Sequence, residues 1–160
     1  MWLENEAYLT ALLKIKRGNK DGVFSNAKPL MMLTLIEAIE QGVIVENKIF
    51  FDNEELRILY KRVSSKSYDE ECCLIRANVR VTPFQMPFFH LNAEEYYHIK
   101  WKEEMTPPQQ AASPSAKFLR ENVSYAYLDP ELWNLLQDPQ TRDEFREAII
   151  SHYLKPDKEK

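Results

Sequence analysis

The stretch Lys28-Pro29-Leu30-Met31-Met32-Leu33-Thr34-Leu35-Ile36-Glu37-Ala38-Ile39-Glu40-Gln41 decides the fold. Its apolar side chains fall on nearly every side of a helix, so it predicts a helix over 28–41 in the middle of a core rather than on a surface. Pro29 suits the first turn, where a missing N–H costs nothing, and Gly42 suits the C-terminal stop. The apolar run from Pro29 to Ile36 is broken by Thr34 and followed by Glu37, well short of the roughly 20 residues that cross a bilayer. No membrane span is expected.

Working outward towards the N-terminus, Ala7, Tyr8, Ala11, Leu12 and Ile15 recur at helical spacing and predict an amphipathic helix over 4–17, ended by Gly18, Asn19, Asp21 and Gly22. Towards the C-terminus, residues 43–45 and 49–51 read as short strands or extended segments around the turn-forming Glu46-Asn47. Asp52 with Glu55 forms an N-cap pattern for a helix to about 63. A polar loop over 64–71 follows, and 74–81 fits either a strand or irregular backbone. Pro83 and Pro87 argue against helix. Residues 88–91, a turn at 92–94 and residues 96–101 then read as an antiparallel hairpin rich in aromatic and β-branched side chains.

The proline-rich stretch 103–114 reads as a connector and 115–121 as a short helix. Asp129-Pro130 and Asp138-Pro139 each place an N-cap before a first-turn proline. The second opens a helix to about 154 with Phe145, Ile149 and Tyr153 on one face, stopped by Lys155-Pro156. The expected fold is a single α+β domain over 1–154, mainly helical with a small antiparallel sheet, and a tail over 155–160.

The composition supports a packed core: 44% of the 160 residues are hydrophobic and 12% aromatic. A net charge of −4 excludes a protein that coats nucleic acid indiscriminately. Locally, Lys14, Lys16, Arg17, Lys20 and Lys28 face only Asp21, and Arg57, Lys61, Arg62, Lys66, Arg76 and Arg80 form a second basic group. Cys72 and Cys73 are adjacent, so a bridge between them would be strained, and they read as reduced and structural. The acidic N-terminus lacks a secretory h-region, which points to the cytoplasm.

Catalytic chemistry is hard to find. The histidines are His90, His98 and His152; the first two sit on the two arms of the expected hairpin, either as hydrogen-bonded structural residues or as a metal pair without further ligands. Three glycines cannot build a phosphate-cradling loop. Glu54-Glu55, Glu70-Glu71 and Glu94-Glu95 are adjacent rather than convergent and read as solvated surface. No catalytic residue, cofactor or metal is expected. Recognition remains. Lys28 is either a phosphate contact at a helix start or an ordinary surface lysine. Met86-Pro87-Phe88-Phe89-His90 is either a rigid, soft-surfaced contact ending in a donor or a core-facing strand.

In order, these segments resemble the sulfur-binding domain family, the DNA-recognition module of phosphorothioate-dependent bacterial restriction endonucleases that usually carry an HNH nuclease. Ala27-Lys28-Pro29-Leu30-Met31-Met32-Leu33 is similar to the family's His-Lys/Arg-Pro-Leu-Leu-Leu-Leu helix start, and Met86-Pro87-Phe88-Phe89-His90-Leu91 to its Tyr-Pro-Phe-x-x-Leu strand. Leu128-Asp129-Pro130-Glu131-Leu132-Trp133, continuing through Asp138-Pro139 to His152-Tyr153-Leu154, is a third piece. The resemblance implies binding of double-stranded DNA, with the backbone sulfur in a shallow apolar pocket. Lys28 would be the basic contact, Pro87 a wall, Met86 a wall where the family often has tyrosine, and His90 the far side. Ala27 stands where the family usually has histidine. A contact segment near 120–127 makes Ser124 and Tyr125 further candidates.

No HNH pattern follows Tyr153, so cleavage is expected from another domain or a partner subunit. Two other readings stand beside this one: a protein-interaction module without DNA binding, using exposed aromatics around the hairpin, and a metal-dependent nuclease using His90 and His98.

Overall fold

The computed structural model describes residues 2–17, 19–20, 23–66, 81–102 and 114–154. In chain order these form α1 (Trp2–Leu12), β1 (Asn19–Lys20), β2 (Val23–Phe24), α2 (Ala27–Gln41), α3 (Glu54–Ser65), α4 (Gln85–His90), a 3-10 turn (Leu91–Ala93), β3 (Tyr97–Trp101), α5 (Ala116–Asn122), β4 (Val123–Leu128), α6 (Pro130–Leu135), α7 (Pro139–Ile149) and a closing π turn (Ile150–Leu154). The chain is a mainly helical α+β fold with small antiparallel sheets, as expected. Cys72 and Cys73, the acidic pair Glu70-Glu71, residues 74–80, the connector over 103–113 and the tail over 155–160 lie outside the described residues, as do Gly18, Asp21 and Gly22.

Helix α2 sits where its sequence puts it. Met31, Met32, Ile36 and Ala38 are fully buried, and the helix packs against α3, α4 and α7. Its one buried hydroxyl, on Thr34, donates to the Leu30 carbonyl at 2.7 Å, so burial leaves no donor unpaired. Gly42 ends the helix at φ 78°, a left-handed conformation that a side chain disfavours, and its N–H closes onto the Ala38 and Ile39 carbonyls. Arg146 of α7 ties the outer face of α2 through Glu37 at 2.8 Å and also bonds Glu40, whose carboxyl that guanidinium holds below its usual range. No helix among the described residues is long and apolar enough to cross a membrane.

The middle of the chain departs from the sequence reading. Residues 85–90 are helix, not strand, and 88–91 make no hairpin with 96–101. Both prolines are compatible with that helix: Pro83 precedes it and supplies a carbonyl to the Met86 N–H at 3.0 Å, while Pro87 lies in the first turn, where N–H groups have no intrahelical partner. Phe84 and Phe88, four apart, bury one face against Phe51, with ring centroids 5.7 and 5.1 Å away. Strand β3 instead pairs with β4, Tyr97 opposite Leu128 and Ile99 opposite Ala126, and Ile49 adds a single bridge to Ala126.

Smaller differences have local causes. Helix α1 ends at Leu12 rather than 17. Asn53, not Asp52, caps α3, accepting from the Leu56 N–H at 3.0 Å, and α3 continues to Ser65 instead of giving way to a loop at 64. Asp138 caps α7 through its side chain, as the punctuation implies, and Ser115 likewise caps α5, accepting from the Phe118 N–H. Asp129 precedes α6, but its carboxylate serves elsewhere: it accepts from Tyr8 Oη at 2.8 Å and pairs with His98 Nε2 at 2.6 Å. His98 therefore has a carboxylate partner on α6's doorstep and does not face His90 across a hairpin. The aromatics expected to lie exposed around that hairpin are largely core: Phe88, Tyr96 and Tyr97 are buried and Phe89 and Trp101 half-buried.

Candidate nucleic-acid interface

The start of α2, the chain just before it and one face of α4 enclose a hollow of about 350 Å³. Lys28, Met86, Pro87 and His90 all line it. The helical form of α4 accounts for that grouping. At roughly 100° per residue, Met86 and His90 are one turn apart on the same side and Pro87 is next to them, while Phe88 points the other way into the core. In a strand, Met86, Phe88 and His90 would have shared a face and Pro87 would have pointed away.

The apolar part of the wall comes from Ala27, Met86, Pro87 and Ala93, and Ser25 and Thr82 complete the rim. Pro87 is buried and so forms the floor, while Met86 and His90 are half-buried. Thr82 is held by the Tyr60 hydroxyl, which donates to its carbonyl at 2.8 Å; burial pushes that phenol up to about 12, so it remains a donor across the neutral range.

Arg17 is a second cation in the lining, one that motif reasoning passed over although it belongs to the basic group between Lys14 and Lys28. Its position follows from a knot of contacts at the end of the chain. The buried Tyr153 hydroxyl donates to the Leu12 carbonyl at 2.7 Å and accepts from the Ile15 N–H at 3.0 Å, fixing the segment after α1. Burial raises that hydroxyl above its ordinary range. The Arg17 guanidinium then lies 4.8 Å over the Tyr153 ring and donates to Asn26 Oδ1 at 2.8 Å.

Asn26 is thereby committed. Its amide donates to the Tyr153 carbonyl at 3.3 Å, so although it occupies the N-cap position of α2 it makes no side-chain cap, and the first turn of α2 carries no acidic residue. The Ala27 N–H donates to Ser25 Oγ at 3.2 Å. The electropositive end of a 15-residue helix is thus directed at the hollow without a carboxylate cap of its own.

Lys28 is not a lone ammonium. Its Nζ lies 3.4 Å from Glu94 Oε2, and the two side chains are only 15% and 9% exposed. Glu94, expected as solvated surface beside Glu95, instead turns its carboxylate onto Lys28 from the end of the 3-10 turn; it lines a neighbouring depression beside α1 rather than the hollow itself, and also accepts the Lys16 main-chain N–H at 3.0 Å. Glu54 and Glu55 are exposed, as read.

Ser124 and Tyr125 are on β4 and do not line the hollow. Tyr125 belongs to a separate aromatic row: its ring centroid is 5.8 Å from Phe50 and 6.1 Å from Tyr127, with Lys48 Nζ 5.3 Å above it.

No family model and no curated protein matches the chain. Solved structures do. The structure described as the sulfur binding domain and SRA domain of ScoMcrA complexed with phosphorothioated DNA superimposes with a TM-score of 0.65 at 14% identity over 91% of this chain. This chain spans 42% of that two-domain polypeptide. The sulfur binding domain of ScoMcrA complexed with phosphorothioated DNA gives a TM-score of 0.64 at 15% identity, covering 91% of this chain and 86% of that one. Across nearly its whole length, therefore, the chain has the fold of the sulfur-binding domain of ScoMcrA.

Proposed function

We propose that residues 1–154 form a DNA-recognition module that binds double-stranded DNA and seats the sulfur of a backbone phosphorothioate in the hollow between α2 and α4. The observation that carries the reading is the meeting of Lys28, Met86, Pro87 and His90, drawn from segments nearly sixty residues apart, at one partly apolar opening beside Arg17. The fold shared with a domain solved on phosphorothioated DNA supports it.

The chemistry divides into two parts. Lys28, Arg17 and the positive end of α2 attract a backbone phosphate whether or not it carries sulfur, because both forms bear a negative charge. The apolar wall discriminates. Sulfur is larger, more polarizable and less strongly hydrated than oxygen, so seating it against Met86 and the Pro87 ring costs less desolvation and gains more dispersion. Oxygen in the same place loses water without recovering its hydrogen bonds. Ser124 and Tyr125 are assigned to contacts further along the duplex. No catalytic step is assigned to these residues; as the recognition part of a cytoplasmic restriction system, the module would act with a nuclease domain or subunit.

Met86→Ser or Pro87→Ala is expected to reduce the preference for a sulfur-bearing duplex by roughly tenfold, the scale of one or two methylene-sized contacts, while leaving affinity for ordinary duplex near native. Competition binding with matched duplexes measures this. Variants that weaken both duplexes equally and keep the native preference would contradict the role given to the wall.

A further inference from the structure

Glu94 has no part in the chemistry above, yet its carboxylate is 9% exposed and placed against the one lysine of the hollow. It is held there from two sides, by Lys28 Nζ at 3.4 Å and by the Lys16 N–H at 3.0 Å. Building on the DNA-binding reading, we infer that Glu94 is an affinity-limiting residue: it keeps the ordinary DNA backbone a weak ligand by neutralising the Lys28 ammonium.

A phosphate approaching Lys28 meets an ammonium whose charge is already compensated and one of whose donors is directed to a carboxylate. It must either share that ammonium or displace Glu94, and in both cases two like charges come close in a poorly solvated place. The attraction common to sulfur-bearing and ordinary backbones is thereby lowered. The contribution of the apolar wall is not, since it does not depend on charge, so at a given protein concentration binding comes to rest more heavily on the sulfur contact.

The sign of this effect separates it from a merely structural role. If Glu94 served to position Lys28, removing its charge would weaken binding; as a brake, removing it strengthens binding. Glu94→Gln keeps an acceptor for the Lys16 N–H and removes the charge. It is expected to raise affinity for ordinary and sulfur-bearing duplex alike by roughly tenfold, the worth of one charge-assisted hydrogen bond, and to steepen the plot of log affinity against log salt by about 0.9, one further phosphate neutralised. Glu94→Ser is the second variant, with the same expected direction should the first fail to fold, and Glu94→Asp, which retains the charge, should remain near the native affinity.

The native protein is titrated in parallel. Failure of the native chain to bind either duplex would overturn the DNA-binding reading itself. Native binding with unchanged or weaker binding by Glu94→Gln and Glu94→Ser, or an Asp variant that binds as tightly as they do, would overturn the role of Glu94 alone.

Discussion

Lys28→Ala is expected to weaken binding of sulfur-bearing and ordinary duplex alike by roughly 2–5 kcal/mol, the cost of truncating one member of a largely buried charged pair at an interface. Two effects add. The phosphate loses its cation, and the Glu94 carboxylate, now held only by the Lys16 N–H, presents an uncompensated negative charge to an anionic ligand. The salt dependence should become shallower, because the site loses one positive charge. Isothermal titration or fluorescence anisotropy at several salt concentrations measures both quantities. A loss confined to the sulfur-bearing duplex would instead place Lys28 on the sulfur and overturn the division between shared attraction and apolar discrimination.

Phe88→Ala is expected to destabilise the protein by about 3–5 kcal/mol, a large share of the roughly 5–15 kcal/mol that holds a domain together. Phe88 is fully buried, its ring is 5.1 Å from Phe51 and 5.7 Å from Phe84, and its carbonyl accepts from the buried Tyr97 hydroxyl at 2.6 Å. The ring anchors the face of α4 opposite to the hollow, so its removal leaves a cavity and loosens the helix that groups Met86, Pro87 and His90. Urea denaturation monitored by circular dichroism reads the loss. A change under about 1 kcal/mol would mean that the aromatic cluster relaxes around the gap and does not fix α4.

The parts of this fold that were readable in the amino-acid order are those written locally. Helix α2 announces itself through apolar residues on all sides and through Gly42, and α7 through Asp138 and Pro139, because burial, a left-handed turn and a cap each act within a few residues. The segment 85–90 misleads for a local reason as well: aromatic enrichment favours strand, two prolines disfavour helix interiors, and only the first-turn placement of Pro87 removes the objection. The pairing of β3 with β4 joins residues about thirty apart across the connector, and nothing in either strand names the other.

The site divides in the same way. Lys28 and the segment from Met86 to His90 stand out in the sequence as a basic helix start and a rigid apolar stretch, to which the resemblance adds roles, and they meet although α4 is a helix where that segment was expected as a strand. Arg17 and Glu94 were not found, because each owes its position to distant contacts: Arg17 to Tyr153 and Asn26, Glu94 to Lys28 sixty-six residues away. An acidic pair beside a turn looks solvated until the lysine that buries one of its members is known. The same holds for Asp129, which has the sequence signature of a helix cap and spends its carboxylate on Tyr8 and His98 instead.

The central claim is that one partly apolar opening next to Lys28 distinguishes a sulfur atom from an oxygen atom in a DNA backbone. The most direct measurement is a titration of the native chain with two duplexes identical except for a single sulfur, each at two ionic strengths. The expected result is that both affinities fall together as salt rises while the sulfur-bearing duplex remains the tighter ligand by a constant factor. Equal affinities for the two duplexes at both ionic strengths would contradict it.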